Sequence, residues 1–215
     1  FSKGFRPNGG VNFAGQAFAP EFSKSYEIGT KLSTEDKRIS ATVALYKAEK
    51  SNILTTDPVN AGFSIAAGEA ESQGVEIDVT GQLTDNTNVY FSYAHTDAEI
   101  TKSALDPNFG LALPVGSELI NIPKNNFNFL VMQGFNVGGG RGSVGGGVTY
   151  VAARPGETGT PSFVLPAYTL INLTGSYSPN ESLKLTVDVD NGVDSQGNAL
   201  VFNGNADDDL AFVDF

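Results

Sequence analysis

The feature that most constrains this sequence is a regular alternation of short and long connections between amphipathic segments of about a dozen residues. The expected short connections are Ser33–Arg38, Thr84–Thr87, Asn136–Arg141 and Ser178–Ser182. The expected long connections are Arg6–Phe22, Ser51–Glu71, Lys102–Asn121 and Ala153–Pro166. A soluble sandwich has no reason to keep every second connection short. A transmembrane β-barrel does, because one rim carries tight turns and the other carries extended loops.

Each segment separates into an apolar and a polar face when it is read with the period of two of a β-strand. Four apolar rows are clear: Ile39, Ala41, Val43 and Leu45; Val75, Ile77, Val79, Gly81 and Leu83; Phe127, Phe129, Val131, Gln133 and Phe135; and Leu183, Leu185, Val187 and Val189. None of these rows contains Asp, Glu, Lys or Arg. Because a lipid-facing charge near the bilayer centre costs about 2–4 kcal/mol, uncharged rows are what a membrane-spanning wall requires.

A soluble antiparallel sheet also alternates apolar and polar residues, so alternation alone does not separate the two classes. Strand length separates them, since the mean strand of a globular protein has about 5–6 residues and a tilted membrane-spanning strand needs about 9–11. The amphipathic runs all reach the longer value: 38–50, 72–83, 88–101, 122–136 and 142–154. The sequence therefore predicts an all-β, antiparallel wall of a transmembrane barrel.

The composition of the 215 residues excludes several other functions. No stretch approaches the about 18 consecutive apolar residues of a transmembrane helix. The net charge of −11 opposes binding to nucleic acid, whose phosphates would be repelled. The sequence has no cysteine, a single histidine (His95) and no nucleophile-elbow pattern, so we expect neither catalytic residues nor a metal site.

Six blocks, in this order, resemble the TonB-dependent siderophore receptors of Gram-negative outer membranes. They are Phe1–Pro7 with Pro20-Glu21 and Tyr26–Lys31, Ala44–Tyr46 leading into Asn52–Pro58, Gly68-Glu69 with Ser72–Asp78, Tyr93–Ala98, Ile120–Lys124, and Leu165–Tyr168. The strongest block is Ser-Gln-Gly-Val-Glu-Ile-Asp at Ser72–Asp78, where the family has Ser-x-Gly-(Val/Ile)-Glu-(Leu/Ile)-Asp.

The resemblance implies that residues 1–191 form the C-terminal part of the receptor barrel, with about eight to ten of its about 22 strands. It implies a globular plug domain that fills the barrel and is absent from this chain. Since Phe1–Phe5 reads as the end of a strand and not as an export signal, we expect the chain to be part of a longer protein. We expect residues 192–215 to be a divergent polar and acidic tail that ends in a terminal strand.

The function implied by the resemblance is TonB-dependent uptake of a ferric-siderophore across the outer membrane of a Gram-negative cell. TonB would act through the plug, outer-membrane lipid would surround the wall, and iron would arrive only as the ferric-siderophore complex. No cofactor and no partner nucleic acid are expected. Two alternatives stay open: a receptor for another cargo, such as haem, cobalamin or a nickel chelate, and a non-transporting structural or binding β-protein derived from such a receptor.

Four residues of the expected extracellular loops and rim are candidates for ligand contact: Phe63, Phe109, Arg154 and Phe163. The resemblance implies that loop and lumen aromatics hold the bulky cargo, although each Phe could also pack its own loop. Arg154, which begins a long loop, could contact ligand or anchor the loop. We expect His95 to lie in the interfacial aromatic belt, since it shares the apolar face of its strand.

Overall fold

The computed structural model describes residues 1–57, 59–102, 104–105, 112–157, 163–194 and 213–214. The strands, numbered in chain order, are β1 Ser2–Arg6, β2 Glu21–Ser33, β3 Ile39–Thr56, β4 Ser64–Thr84, β5 Thr87–Lys102, β6 Ala104–Leu105, β7 Ala112–Leu113, β8 Asn125–Val137, β9 Gly140–Val151, β10 Arg154–Pro155, β11 Val164–Leu165, β12 Tyr168–Asn180, β13 Leu183–Asp194 and β14 Val213–Asp214. Across these ranges, no helix is long and apolar enough to cross a membrane.

The described strands form one antiparallel sheet of ten strands in the order β1-β2-β3-β4-β5-β8-β9-β12-β13-β14. Each strand pairs with its neighbours along the chain, apart from two small hairpins, β6–β7 and β10–β11, that lie within the long connections. Four short turns join neighbouring strands at one rim: 34–38, 85–86, 138–139 and 181–182. This arrangement confirms the all-β antiparallel fold and the strand number expected from the sequence.

The expected long connection Ser51–Glu71 was wrong in extent, because β3 continues to Thr56 and β4 begins at Ser64. The pairing of β3 and β4 shifts at Asn52, an extra residue whose φ of 61° is in the left-handed region. Such a bulge breaks the period of two and lets the ladder resume beyond it. Because the period of two is interrupted there, the sequence pattern did not show that β3 and β4 both extend well past the apolar face.

The register joins the apolar rows of separate strands into one continuous face from β2 to β13. Val79 lies opposite Phe91, Phe91 opposite Phe129, and Phe129 opposite Val148. We call this surface the apolar face; its central members are Ile28, Leu32, Ala41, Val43, Leu45, Val75, Ile77, Val79, Val89, Phe91, Phe127, Phe129, Val131, Val144, Val148, Ile171, Leu173, Leu185, Val187 and Val189. No other part of the described chain covers it: Ile28 is 73% exposed and Val187 58% exposed.

The opposite surface, called the polar face below, carries hydrogen bonds between neighbouring strands. The Thr149 hydroxyl donates to Asn128 Oδ1 at 2.7 Å, and Asn128 Nδ2 donates to the Ser92 hydroxyl at 3.4 Å. The hydroxyls of Ser143 and Ser176 are 2.9 Å apart. These bonds satisfy polar side chains across the strands, which suits a surface that faces water or another polar domain.

Glycines in β9 make room for large side chains of β8. The Phe135 ring lies over Gly142 on the apolar face, and Met132 lies over Gly145 on the polar face. A Cβ atom at either glycine would overlap these side chains. The glycine run in β9 therefore serves close side-chain packing, as expected for glycine inside a strand.

We expect Val131→Arg to destabilise the folded barrel by about 2–4 kcal/mol, because Val131 lies midway between Phe127 and Phe135 on the apolar face. Leu130→Arg is the matched control, since the neighbouring side chain points to the polar face at the same depth. Urea unfolding of the full-length protein in lipid vesicles measures the free energy of unfolding of both variants. Equal destabilisation by the two variants would contradict the assignment of the faces.

Candidate functional site at the rim of the long connections

Above the apolar face, β5 extends beyond the start of β8, and a segment of the loop after β5 pairs with this part of its edge. Beyond His95, where β8 begins, the Ile100 N–H donates to the Ser117 carbonyl at 2.9 Å and the Leu119 N–H donates to the Ala98 carbonyl at 3.0 Å. The Thr96 N–H donates to the Lys124 carbonyl at 2.9 Å. The loop therefore satisfies backbone groups that an open strand edge would expose.

A small apolar core fixes this loop against the sheet. Ala70 and Ile100 are buried, and Ile53 and Leu119 pack against them. The core draws on β3, β4, β5 and the loop after β5, and Ile53 reaches it because β3 continues past the bulge at Asn52. The rim is thus an ordered continuation of the sheet.

Arg154 joins two long connections. Its Nε donates to Asn121 Oδ1 at 2.7 Å, and the Asn121 N–H donates to the Pro155 carbonyl at 2.9 Å. The guanidinium lies 5.6 Å from the centroid of the Tyr168 ring, in cation–π contact. Of the two roles left open by the sequence, this geometry supports loop anchoring; ligand contact by Arg154 stays a prediction.

Phe163 packs within its own connection. Its ring covers Gly156, and the Gly156 N–H donates to the Phe163 carbonyl at 3.0 Å. The Phe163 N–H donates to Glu157 Oε1 at 3.0 Å. The ring is still exposed to solvent, so it is accessible to a ligand.

Phe63 pairs with an aromatic residue that the sequence reasoning did not select. Its ring meets that of Phe13 edge to face, with centroids 5.2 Å apart, which joins connections 7–20 and 57–63. Both rings are exposed. Phe13 could have been selected from the sequence because it is an aromatic residue in the first long connection. The fourth candidate, Phe109, lies outside the described residues.

His95 lies at the upper margin of the apolar face, within the group of aromatic side chains there. Its Nδ1 is 2.9 Å from Asn125 Oδ1, which also accepts a hydrogen bond from the Tyr93 hydroxyl at 2.9 Å. The rings of Phe127 and Tyr150 stack nearby with centroids 5.5 Å apart. Amphipathic rings at this height suit the membrane interface. In the described ranges, no three His, Cys, Asp or Glu side chains are grouped so that they could hold a metal ion.

Three charged residues on the polar face at this rim were also missed by the sequence reasoning. Glu21, 7% exposed, accepts ion pairs from Lys50 Nζ at 3.0 Å and from Arg6 Nη2 at 3.4 Å. We call these residues the mouth cluster. They are distant in sequence and come together only through the pairing of β1, β2 and β3.

The opposite side of the same rim carries a row of glutamates. Glu49 lies opposite Glu71 and Glu71 opposite Glu99 on neighbouring strands, and Glu99 is bridged to Glu118 of the loop after β5. Lys47 Nζ lies 3.0 Å from Glu71 and 3.8 Å from Glu49, and Lys124 forms an ion pair with Glu118 at 2.5 Å. The hydrogen bond to Glu118 raises the pKa of Lys124. These lysines offset the repulsion expected between like charges on adjacent strands.

Asp57 holds the connection 57–63 together. Its carboxylate accepts hydrogen bonds from the Val59 and Asn60 N–H groups at 2.8 and 3.0 Å and from Asn60 Nδ2 at 2.9 Å. The bond from the Asn60 side chain, followed by the two backbone bonds, lowers the pKa of Asp57. The charged form therefore stabilises this turn.

An exposed apolar face, a polar opposite face, tight turns at one rim and long loops at the other together define the wall of an outer-membrane β-barrel. Residues 1–191 match the family model for the TonB dependent receptor-like β-barrel. The chain belongs to this family, whose barrels lie in the outer membrane of Gram-negative bacteria.

Curated relatives include two outer-membrane proteins whose names state a cargo. The chain is 40% identical over 191 residues to the metal-pseudopaline receptor CntO of Pseudomonas aeruginosa, covering 88% of this chain and 26% of that protein. It is 33% identical over 178 residues to the ferrichrome outer membrane transporter/phage receptor of Escherichia coli, covering 82% of this chain and 23% of that protein. The chain thus spans about a quarter of the length of these relatives.

Solved structures show the same fold. The siderophore receptor PiuA from Acinetobacter baumannii aligns with a TM-score of 0.72 and 22% identity, over 86% of this chain and 28% of that one. The ferric-catecholate import receptor Fiu from E. coli aligns with a TM-score of 0.68 and 23% identity, over 91% of this chain and 29% of that one. The ten-stranded sheet therefore corresponds to part of a larger barrel. The assignment of 192–215 to a separate tail stays a prediction.

We expect Arg154→Ala to accelerate hydrogen exchange at the Asn121 amide about tenfold, because hydrogen bonds to charged groups contribute about 1.5–3 kcal/mol. The measurement is exchange followed by mass spectrometry on the full-length protein. Arg141→Ala, at the opposite rim on β9, is the control and should leave Asn121 unchanged. Unaltered exchange in Arg154→Ala would show that the guanidinium does not anchor the loop.

The pKa of Asp57 is depressed in the folded protein, so its contribution to the turn is fully present above the ordinary carboxyl pKa and is lost as the pH falls through the folded value. We expect a spin label on Val59→Cys to stay ordered from neutral pH to about pH 4 and to gain mobility below it. Adding Asp57→Ala should make the label mobile at every pH. Mobility that is the same with and without Asp57 would contradict the proposed capping.

Proposed function

We propose that the full-length protein containing this wall is a TonB-dependent outer-membrane receptor that imports a ferric-siderophore. The family match over residues 1–191 is the observation that carries the proposal. The names of relatives support it: among them are a ferrichrome transporter and a probable TonB-dependent siderophore receptor. The uncovered apolar face and ordered rim described above are what such a wall needs.

In this proposal the chain binds and guides cargo and catalyses no reaction. The long connections form the extracellular mouth, where exposed rings such as Phe13, Phe63 and Phe163 offer apolar contact to a bulky chelate. Metal is held by the chelator's own donor atoms. The side chains of the mouth supply shape, charge and exclusion of water.

The energy for release comes, in the same proposal, from TonB acting on a plug domain inside the barrel. The hydroxyl and amide groups along β5, β8 and β9 give the polar face a surface on which a polar domain can rest, as in the bonded row of Ser92, Asn128 and Thr149. The uncharged, hydrogen-bonding groups of this part of the lining permit such a domain to shift there without leaving buried charges unpaired.

A second cargo class has a specific observation in its favour. A relative with 40% identity is named as a metal-pseudopaline receptor, which supports a metal chelate that is not restricted to iron as the second cargo class. Both cargo classes use the same wall. The metal and the chelator distinguish them.

Growth and uptake test the proposal directly. We expect the full-length protein, expressed in a host lacking its own siderophore receptors, to restore growth under iron starvation with at least one ferric-siderophore and to require TonB. Uptake of radioactive iron, zinc and nickel chelates separates the two cargo classes. Surface expression without uptake of any chelate would overturn a transport function and favour a structural or binding role.

A further inference from the structure

We propose that the mouth cluster selects a metal chelate of net negative charge. This inference rests on the proposed uptake function and adds to it the charge class of the cargo. It is carried by the direction in which three charged side chains point, by the burial of one of them and by the placing of the surrounding charges.

The register directs the whole mouth cluster to the interior of the barrel. Arg6 lies opposite Glu21, and Lys50 lies opposite Ser23. Glu21 and Ser23 are two residues apart on β2, so their side chains share one face, the face of Ser25 and the polar surface below. The neighbouring basic residues of β1 and β2, Lys3 and Lys24, lie at alternate positions, so their side chains point outward.

The cluster presents positive charge to that interior. The Glu21 side chain is 8% exposed, whereas that of Arg6 is 72% and that of Lys50 47% exposed. One carboxylate with two cations leaves a net charge of +1 by count. Because the acid is buried between its partners and the bases are exposed, an approaching ligand meets ammonium and guanidinium groups first.

Within β1–β5 as the structure describes them, no other charged side chain points inward on this stretch. Between the height of Glu21 and that of Ser25, the remaining inward positions of β1–β5 are uncharged: Ser2, Gly4, Ser23, Ser25, Ala48, Ala70, Ser72, Ala98 and Ile100. The connection 7–20 has no Asp, Glu, Lys or Arg. The oxygens of Asp57, in the next connection, are hydrogen-bonded within their own turn.

Acidic residues of the same height point the other way. Glu49, Glu71 and Glu99 lie on the outward face, separated from the interior by the sheet. Side chains on opposite faces of a strand project away from each other, and salt weakens the interaction that remains between their charges. The interior of the mouth is therefore locally positive although the chain carries a net charge of −11.

The cluster is held in place before any ligand binds. Asn8 Nδ2 donates to the Ala19 carbonyl at 2.9 Å and to the Asn52 carbonyl at 3.2 Å. Asn52 Nδ2 donates to the Pro20 carbonyl at 2.9 Å. These bonds fix the end of β1, the start of β2 and the bulge of β3, which carry the mouth cluster. A preorganised site binds with less loss of conformational entropy.

An anionic chelate gains charge-assisted hydrogen bonds from Lys50 and Arg6. A neutral chelate of the same size displaces the same water without that gain. Charge at the mouth also raises the rate of encounter with anions, an effect that salt weakens.

The experiment measures binding of three chelates to the full-length receptor in detergent: a trianionic ferric tris-catecholate, anionic ferric citrate and a neutral ferric tris-hydroxamate. We expect an anionic chelate to bind most tightly, and we expect its affinity for the receptor to fall as the salt concentration rises. Lys50→Gln and Arg6→Gln should each weaken it about fivefold, since an exposed ion pair contributes up to about 1 kcal/mol. Glu21→Gln removes the opposing charge and should tighten it by a similar factor.

Lys24→Gln and Lys3→Gln are matched controls, because these lysines lie on the same strands and point outward. They should leave the affinity unchanged. Preferred binding of the neutral chelate, or equal effects of inward and outward substitutions, would overturn the charge selection while uptake itself could still be observed. If no chelate binds and none is taken up, the proposed function fails, and this inference fails with it.

Discussion

The structure depends on one constraint: in hydrocarbon, every backbone N–H and C=O group needs a partner within the protein. A sheet satisfies this requirement only if its strands are long, continuously paired and in consistent register. The ladder from β1 to β13 meets it, because each strand of the ten-stranded sheet is bonded to the next strand of that sheet in chain order. Once the register is set, the side chains divide between two faces, and burial against lipid requires that one face be free of charge.

Above the apolar face this constraint is relaxed, and the architecture changes accordingly. Water can satisfy backbone groups there, so the bulge at Asn52 and the left-handed residue Asn121 are tolerated. Charged side chains are also present above the apolar face, and they divide between the two sides of the sheet. The mouth cluster points inward, and Glu49, Glu71 and Glu99 point outward. The site is thus built where the membrane no longer dictates which residues are allowed.

Much of the fold could be predicted because its signal repeats at every second residue. The rows that contain Val79, Phe129 and Val187 were assigned to one face from the sequence, and the register joins them on one surface. The extent of β3 and β4 could not be predicted, since two successive register shifts, one at Asn52 on β3 and one between Ala66 and Gly68 on β4, interrupt the period of two. Resemblance to known receptors supplied the family, which the match over residues 1–191 confirms.

The candidate site was less predictable. Exposed aromatics and Arg154 could be selected by their position in long connections, but their partners could not. The sequence by itself determined which side chains can face lipid, because the cost of a charge in hydrocarbon acts on each residue separately. Only the tertiary structure decided which charges meet, such as Arg6, Glu21 and Lys50, since ion pairs and loop contacts depend on distances between residues far apart in the chain.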